Sequence, residues 1–310
     1  MNGMCSDVKS RPHSIVILPL VVLTYFLVGC AAPATGGAAQ AKHRASEEPM
    51  AIKSDIDQPT VRLAEHPDYY ALVVGIEKYS TGLPDARFAR HDAIAVKDYL
   101  RALGFPEQNI KFLTGQSATG TSLASCLEDW LPRNVKEDSR VFFYFAGHGA
   151  PDSKTGQVYL VPSDGNPNFI KTTGYPVKKL YADLGALKAK QVIVALDACF
   201  SGAGDRSVSA KGARPLATHT ETAISLDNKI TLFATVACQD GATLPGQGHG
   251  IFTYYFLKGL AGEAKDANGV VTPRGLYNYL KSKMQDAANL QNREQTPVLE
   301  KLDEGELFRF

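Results

Sequence analysis

The chain has 310 residues, 33 Lys and Arg against 32 Asp and Glu, and a hydrophobic fraction of 44%. That balance excludes a disordered or collagen-like chain. A net charge of +1 leaves no basic excess to hold a phosphate backbone by counterion release, which argues against nucleic acid as a general partner.

Lys9 and Arg11 precede an apolar run from Ile15 to Val28, which closes on Leu27-Val28-Gly29-Cys30. The run is short for a membrane-spanning helix, and a small residue before cysteine suits a lipoprotein signal peptidase. The segment resembles a bacterial lipoprotein precursor, with a plain signal peptide or an uncleaved anchor as the alternatives. Residues 1–29 are then the signal peptide and Cys30 the lipidated N-terminus. Ala31 after it implies outer-membrane sorting, facing the periplasm. Removing Lys9, Arg11 and Asp7 leaves equal numbers of basic and acidic residues, so charge alone does not hold the mature chain to a membrane. Residues 30–66 are small, polar and Pro-containing without an apolar period, and are expected to form a flexible linker. Residues 67–310 suit one α/β domain.

From Tyr69 the pattern alternates. A strand is expected over 71–76, a helix near 91–103, a strand over 111–113, a helix over 121–131 and a strand over 140–146. A further strand over 158–161, a helix near 177–187, and strands over 191–196 and 231–236 follow. Alternation of this kind predicts a mainly parallel sheet covered on both faces.

Ligands of open α/β sheets sit beyond the carboxyl ends of the strands. Two of these exits carry reactive side chains: Ala146 runs into Gly147-His148-Gly149, and Leu196 runs into Asp197-Ala198-Cys199-Phe200-Ser201-Gly202. If the two strands are parallel, His148 and Cys199 leave the sheet on the same edge. A cysteine nucleophile needs thiolate character and a neighbouring base, which imidazole supplies. The N–H groups of Gly149 and Cys199 are natural donors to the oxyanion of a tetrahedral intermediate.

At these residues the chain resembles the caspase-like cysteine peptidases, and among them the bacterial metacaspase relatives called orthocaspases. The resemblance rests on Tyr144-Phe-Ala-Gly-His148-Gly, Val161-Pro-Ser-Asp164, Asp197-Ala-Cys199-Phe-Ser-Gly202 and Gly250-Ile-Phe-Thr-Tyr-Tyr-Phe-Leu257. The separation of 51 residues between His148 and Cys199 is also that of the family, whose spacing of roughly 50 is a known signature. The resemblance implies a three-layer α/β/α sandwich around a mostly parallel six-stranded sheet. It implies Cys199 as nucleophile, His148 as general base and acid, and the backbone of Gly149 and Cys199 as oxyanion hole. Metacaspase relatives cleave after Arg or Lys, and the acids matching their pocket are Asp197 and Asp92. Asp92 could equally begin a helix, where an acid suits the dipole.

The chain departs from the family at Ala146, where many relatives have serine, and at His91, where Asn is usual beside the pocket acid. Some relatives depend on calcium, but no calcium site is placed here: Asp266-Ala-Asn268-Gly269 resembles part of an EF-hand loop without its bidentate Glu, and reads as a turn before a helix near Pro273. No zinc spacing is found, since Cys-x-x-Cys is absent and the histidines are scattered. No cofactor is therefore assigned, and calcium dependence stays open with no site identified.

Residues 202–227 read as a mobile loop. Arg206, Lys211 and Arg214 in it are candidate sites of self-cleavage by a basic-specific enzyme. Cys126 reads as packing and Cys238 as cleft wall. A second pairing, Cys238 with His249, lacks the double strand exit. The function expected is a lipid-anchored cysteine endopeptidase acting on peptides or proteins with a basic residue before the cleaved bond. The alternative is a catalytically silent caspase-like interaction module tethered to the membrane, since fold alone cannot decide between them.

Overall fold

The computed structural model describes residues 53–200, 206–209, 229–235, 243–290, 297–300 and 305–310. Cys30, Lys211, Arg214 and Cys238 lie outside the described residues.

The strand and helix alternation folds largely as expected. Strand β1 (Tyr69–Gly75) leads to α1 (Ala89–Ala102), β2 (Ile110–Thr114), α2 (Gly120–Ser125), α3 (Leu131–Asn134) and β3 (Arg140–Ala146). Next come β4 (Gly149–Pro151), β5 (Val158–Leu160), α4 (Ile170–Thr173), β6 (Tyr175–Pro176), α5 (Val177–Ala186) and β7 (Gln191–Asp197). After β8 (Ile230–Thr235), β9 (Thr243–Leu244) and β10 (His249–Gly250) come α6 (Ile251–Lys258), β11 (Val270–Val271), α7 (Pro273–Asn289), β12 (Pro297–Glu300) and β13 (Phe308–Arg309).

The main sheet has six strands in the order β12-β8-β7-β3-β1-β2, all parallel except β12, which runs antiparallel to β8. Helices cover both faces, giving the expected three-layer sandwich. Central strands of such a sheet must be apolar on both sides. Thus β7 is buried along its whole length, and Phe142, Phe143, Tyr144 and Phe145 of β3 are fully buried. Each such side chain contributes roughly 1.5–3 kcal/mol of burial. On one face α1 and α6 pack against each other, with Phe256 of α6 meeting Phe142 and Phe233 of the sheet.

Three differences from the sequence reading have physical causes. The helix expected over 121–131 continues to Asn134 through a π-turn, Cys126–Trp130. Pro132 has no N–H for the carbonyl four residues earlier, and the Leu131 N–H reaches back to the Cys126 carbonyl instead. The strand near Val158 joins a separate antiparallel sheet, β4-β5-β6, which carries the chain away from the His148 turn.

The third difference concerns residues 53–66 of the expected 30–66 linker, whose residues 30–52 lie outside the described residues. From residue 53 the chain is packed: Ile56 is buried, Ser54 Oγ donates to Gln247 at 2.9 Å, and the N–H groups of Leu63 and His66 donate to the Ala102 and Gly104 carbonyls at 2.7 and 2.8 Å. Buried Ile56, the partly buried Val61 and Leu63 packed against the core, and side-chain and backbone hydrogen bonds together dock a segment whose composition alone reads as a tether. None of the helices among the described residues is long and apolar enough to cross a membrane.

Candidate active site

The parallel register sets the site. Gly75 pairs with Ala146 and Ala146 pairs with Asp197, so the carboxyl ends of β1, β3 and β7 finish side by side. Beyond them lie the loop after β1, the turn Gly147-His148-Gly149, and Ala198-Cys199. Gly147 sits at φ 158 with the Tyr79 hydroxyl where a Cβ would project. A Cβ at Gly149 would lie 2.4 Å from the Cys199 carbonyl oxygen. Both glycines are thus required by close approach of neighbouring groups.

His148 is buried and held on three sides. Its N–H donates to Tyr79 Oη at 2.7 Å, its ring stacks on Tyr79 with centroids 4.9 Å apart, and its Nε2 lies 2.7 Å from the Pro84 carbonyl oxygen. A carbonyl only accepts, so Nε2 carries the proton and Nδ1 is the basic nitrogen of the neutral ring. Burial pushes the Tyr79 phenol well above its ordinary range, so that hydroxyl stays neutral. Cys199 follows β7 and is buried, with only 2% of its surface exposed.

What covers Cys199 is the chain itself. Arg206, read from sequence as part of a mobile loop, is instead among the largest fully buried side chains. Its Nη2 lies 2.6 Å from Asp92 Oδ2 and its Nη1 lies 3.1 Å from Asp197 Oδ2. Further bonds run from Nη2 to the Arg87 carbonyl at 3.1 Å and from Nη1 to the Asp197 carbonyl at 3.2 Å. The loop reading fails here because a polar, glycine-rich composition carries no sign of a distant carboxylate pair, and that pair is what draws the guanidinium in. Backbone follows side chain: the Arg206 carbonyl oxygen accepts from the N–H groups of both Gly149 and Cys199 at 3.0 Å. The Val208 N–H then donates to the Gly149 carbonyl at 2.9 Å.

The structure therefore brings together His148, Gly149, Cys199, Asp92, Asp197 and Arg206. Asp92 does stand in the first turn of α1, but its buried carboxylate also takes the Gly250 N–H at 3.1 Å and His249 Nδ1 at 2.8 Å. Asp197 accepts from Thr253 Oγ1 at 2.6 Å, and Thr253 Oγ1 is 2.6 Å from Tyr144 Oη. Since the Thr253 proton goes to Asp197, Tyr144 donates to Thr253. Burial and the neighbouring Asp92 carboxylate act to raise the pKa of Asp197, opposed by Arg206, with a net rise. Burial disfavours the charge on Arg206, but Asp197 and Asp92 outweigh it and hold the guanidinium firmly protonated.

Residues 68–306 match the family model of the caspase domain, a peptidase family. The chain belongs to the caspase-domain family. No curated protein matches it significantly. Among solved structures the caspase-domain chain is similar to protein GSU0716 of Geobacter sulfurreducens, with a TM-score of 0.52 and 17% identity over 76% of this chain and 93% of that one. That likeness concerns the fold.

Sequence reading did not single out Tyr79, Pro84, Thr253 or the pocket role of His249 and Gly250. Gly250 and Thr253 did lie in the quoted stretch 250–257, where a glycine before a helix was the available signal. A Cβ at Gly250 would lie 2.7 Å from Asp197 Oδ2, 3.0 Å from Arg206 Nη2 and 3.1 Å from Asp92 Oδ2, so only glycine leaves room for the guanidinium. Asp164, by contrast, is structural: its Oδ1 accepts from the Gly120 N–H at the start of α2 at 2.9 Å. Asp266 Oδ1 accepts from the Asn268 and Val270 N–H groups at 2.8 and 2.9 Å, the turn expected before the Pro273 helix.

Proposed function

We propose that this caspase-domain protein is a cysteine endopeptidase that cleaves after Arg or Lys, with Cys199 as nucleophile and His148 as base and acid, and that it first cleaves its own Arg206–Ser207 bond. One observation carries the reading: Arg206 fills the Asp92–Asp197 pocket while its carbonyl accepts from Gly149 and Cys199 N–H. A side chain in a specificity pocket and a carbonyl in an oxyanion hole together describe a bound substrate.

In that reading Nδ1 of His148 takes the thiol proton, and the Cys199 sulfur attacks the Arg206 carbonyl carbon. The developing oxyanion keeps the two N–H donors it already has, which need no reorganisation. Collapse breaks the Arg206–Ser207 bond, His148 returns its proton to the Ser207 nitrogen, and water hydrolyses the thioester. The new terminus at Arg206 can then leave, and the same pocket accepts a basic side chain from another protein. Lys211 and Arg214 are secondary candidates for cleavage.

The test is the full-length chain in detergent with reductant, followed by intact mass and by fluorogenic peptides ending in Arg, Lys or Asp. Cleavage at Arg206–Ser207 and turnover after Arg or Lys, both absent in Cys199→Ala, are expected. An uncut wild type that hydrolyses no peptide, with or without calcium, would overturn the peptidase reading in favour of a silent module. We further propose that Cys30 is lipidated and holds the domain at the outer membrane, on the motif at 27–30. Labelled fatty acid should be incorporated in wild type and lost in Cys30→Ala.

A further inference from the structure

Beside the acidic pocket, three side chains far apart in sequence converge on one point. Nε2 of His91 lies 3.0 Å and Nε2 of His249 lies 3.1 Å from the same oxygen, Oδ1 of Asp57. We propose that Asp57, His91 and His249 bind one divalent transition-metal ion, Zn²⁺ by the chemistry of its ligands, independently of the peptidase reaction.

The atoms that would not touch the ion are already engaged. His91 Nδ1 lies 2.8 Å from the Gly248 carbonyl oxygen, and a carbonyl requires a proton on that nitrogen. His249 Nδ1 lies 2.8 Å from Asp92 Oδ1, a buried carboxylate. Asp57 Oδ2 accepts from the Ser54 N–H at 2.7 Å. Each ligand thus has the outer partner that fixes tautomer and orientation in metal sites, and each turns its remaining lone pair toward the other two. One ligand atom from each of Asp57, His91 and His249 lies within 4.8 Å of the other two, and a tetrahedral Zn²⁺ with bonds of about 2.0–2.1 Å needs ligand separations of about 3.3 Å.

Protons are the alternative occupant. Both nitrogens of His249 face a carboxylate oxygen, Nδ1 that of Asp92 at 2.8 Å and Nε2 that of Asp57 at 3.1 Å, so a proton is the occupant the ion would displace. Protonating both rings, however, would stack two imidazolium ions face to face, since the His91 and His249 centroids are 4.1 Å apart. One divalent ion neutralises the convergence without that repulsion, each ring tilting slightly about its Nδ1 anchor to close on it. Two imidazoles and one carboxylate select zinc, cobalt or nickel and not calcium or magnesium, which prefer oxygen alone. Asp57 and His91 are partly exposed at their side chains, 27% and 34%, which leaves an entry path and a fourth position for water. The ion would tie the segment around Asp57 to the imidazole that orients Asp92.

The experiment uses the full-length chain carrying Cys199→Ala, which stays uncut, stripped of metal and held in detergent with its remaining thiols blocked. Zn²⁺ and Ca²⁺ are titrated by calorimetry and Co²⁺ by its visible spectrum. One Zn²⁺ per chain, no Ca²⁺ at this stoichiometry, cobalt bands without thiolate charge transfer and a raised thermal midpoint are expected. His91→Gln and Asp57→Asn should each weaken Zn²⁺ at least about tenfold with unchanged circular dichroism, and either variant serves if the other fails to fold. A folded chain that binds no Zn²⁺, equal binding by the folded variants, or a thiolate cobalt spectrum would overturn the site.

Discussion

The carbonyl oxygen of Arg206 accepts a hydrogen bond of 3.0 Å from the backbone nitrogen of Cys199, so the chain sets one of its own peptide bonds against the residue proposed as its nucleophile. In an open cleft the first-bound basic peptide would find Asp92 and Asp197 free. Here both carboxylates are taken from within, by a side chain that is 1% exposed, and the domain as folded is occupied before any substrate arrives.

Arg206→Gln separates the two consequences of that occupancy. It removes the basic side chain before the proposed bond, so no cleavage at 206–207 should be seen by intact mass even after long incubation. It also leaves Asp92 and Asp197 buried without their cation, at a cost of about 3–5 kcal/mol, read as an earlier urea midpoint. Arg206→Lys should retain cleavage, at a reduced rate, because an ammonium cannot reproduce the forked contact with two carboxylates. Cleavage in Arg206→Gln at the unchanged rate would remove the pocket from the account of self-processing.

Gly250→Ala tests the pocket from its wall. The added methyl group meets Asp197, Arg206 and Asp92 at 2.7 to 3.1 Å, where carboxylates held by Thr253 and His249 cannot yield. KM for Arg peptides should rise at least about tenfold with a smaller change in kcat, the signature of lost binding common to ground and transition states.

Much of this was legible in the sequence because the informative residues sit where strands end. The apolar runs of β3 and β7 betray buried parallel strands, and Gly147-His148-Gly149 and Asp197-Ala-Cys199 follow them directly, so register alone brings the pair together. Pro84, Thr253 and the buried fate of Arg206 were not legible, for a common reason. Each acts through a contact with a partner remote in sequence: a backbone carbonyl on His148, a hydroxyl on Asp197, a guanidinium between Asp92 and Asp197. Residue type reveals none of these. The same holds for residues 53–66, whose docking rests on Ile56, Val61 and Leu63 against the core and on contacts of Ser54 and Asp57 with residues remote in sequence.

Asp152 closes β4 just beyond the His148 turn and gives a prediction in pH. Burial would raise its pKa, but the Thr155 hydroxyl, Lys171 and the Lys154 N–H outweigh it and hold the carboxyl down at about 2. A depressed folded value contributes stability above the unfolded value near 3.8, and that contribution is lost as pH falls from there through about 2. Asp152→Asn should therefore lower stability by about 1–2 kcal/mol at pH 7, and the gap from wild type should close toward pH 2. A constant gap across that window, in urea unfolding at stepped pH, would assign the effect to packing.

Thr253→Val removes one proton donor between two buried groups. The Thr253 hydroxyl gives its proton to Asp197 at 2.6 Å and receives one from Tyr144, so valine, nearly the same shape, leaves the Asp197 carboxylate and the Tyr144 hydroxyl each short of a partner. Unsatisfied buried groups cost about 1–3 kcal/mol each, and stability should fall by that order. The carboxylate that loses its donor is also the one facing Nη1 of Arg206 at 3.1 Å. Its negative form becomes harder to sustain, and preference for Arg over neutral residues before the cleaved bond should narrow. Thr253→Ser, which keeps the hydroxyl and drops only a methyl group, should restore the preference while remaining slightly less stable. If Ser and Val variants behave alike in peptide selectivity, the hydrogen bond to Asp197 does not tune the pocket and Thr253 serves the core alone.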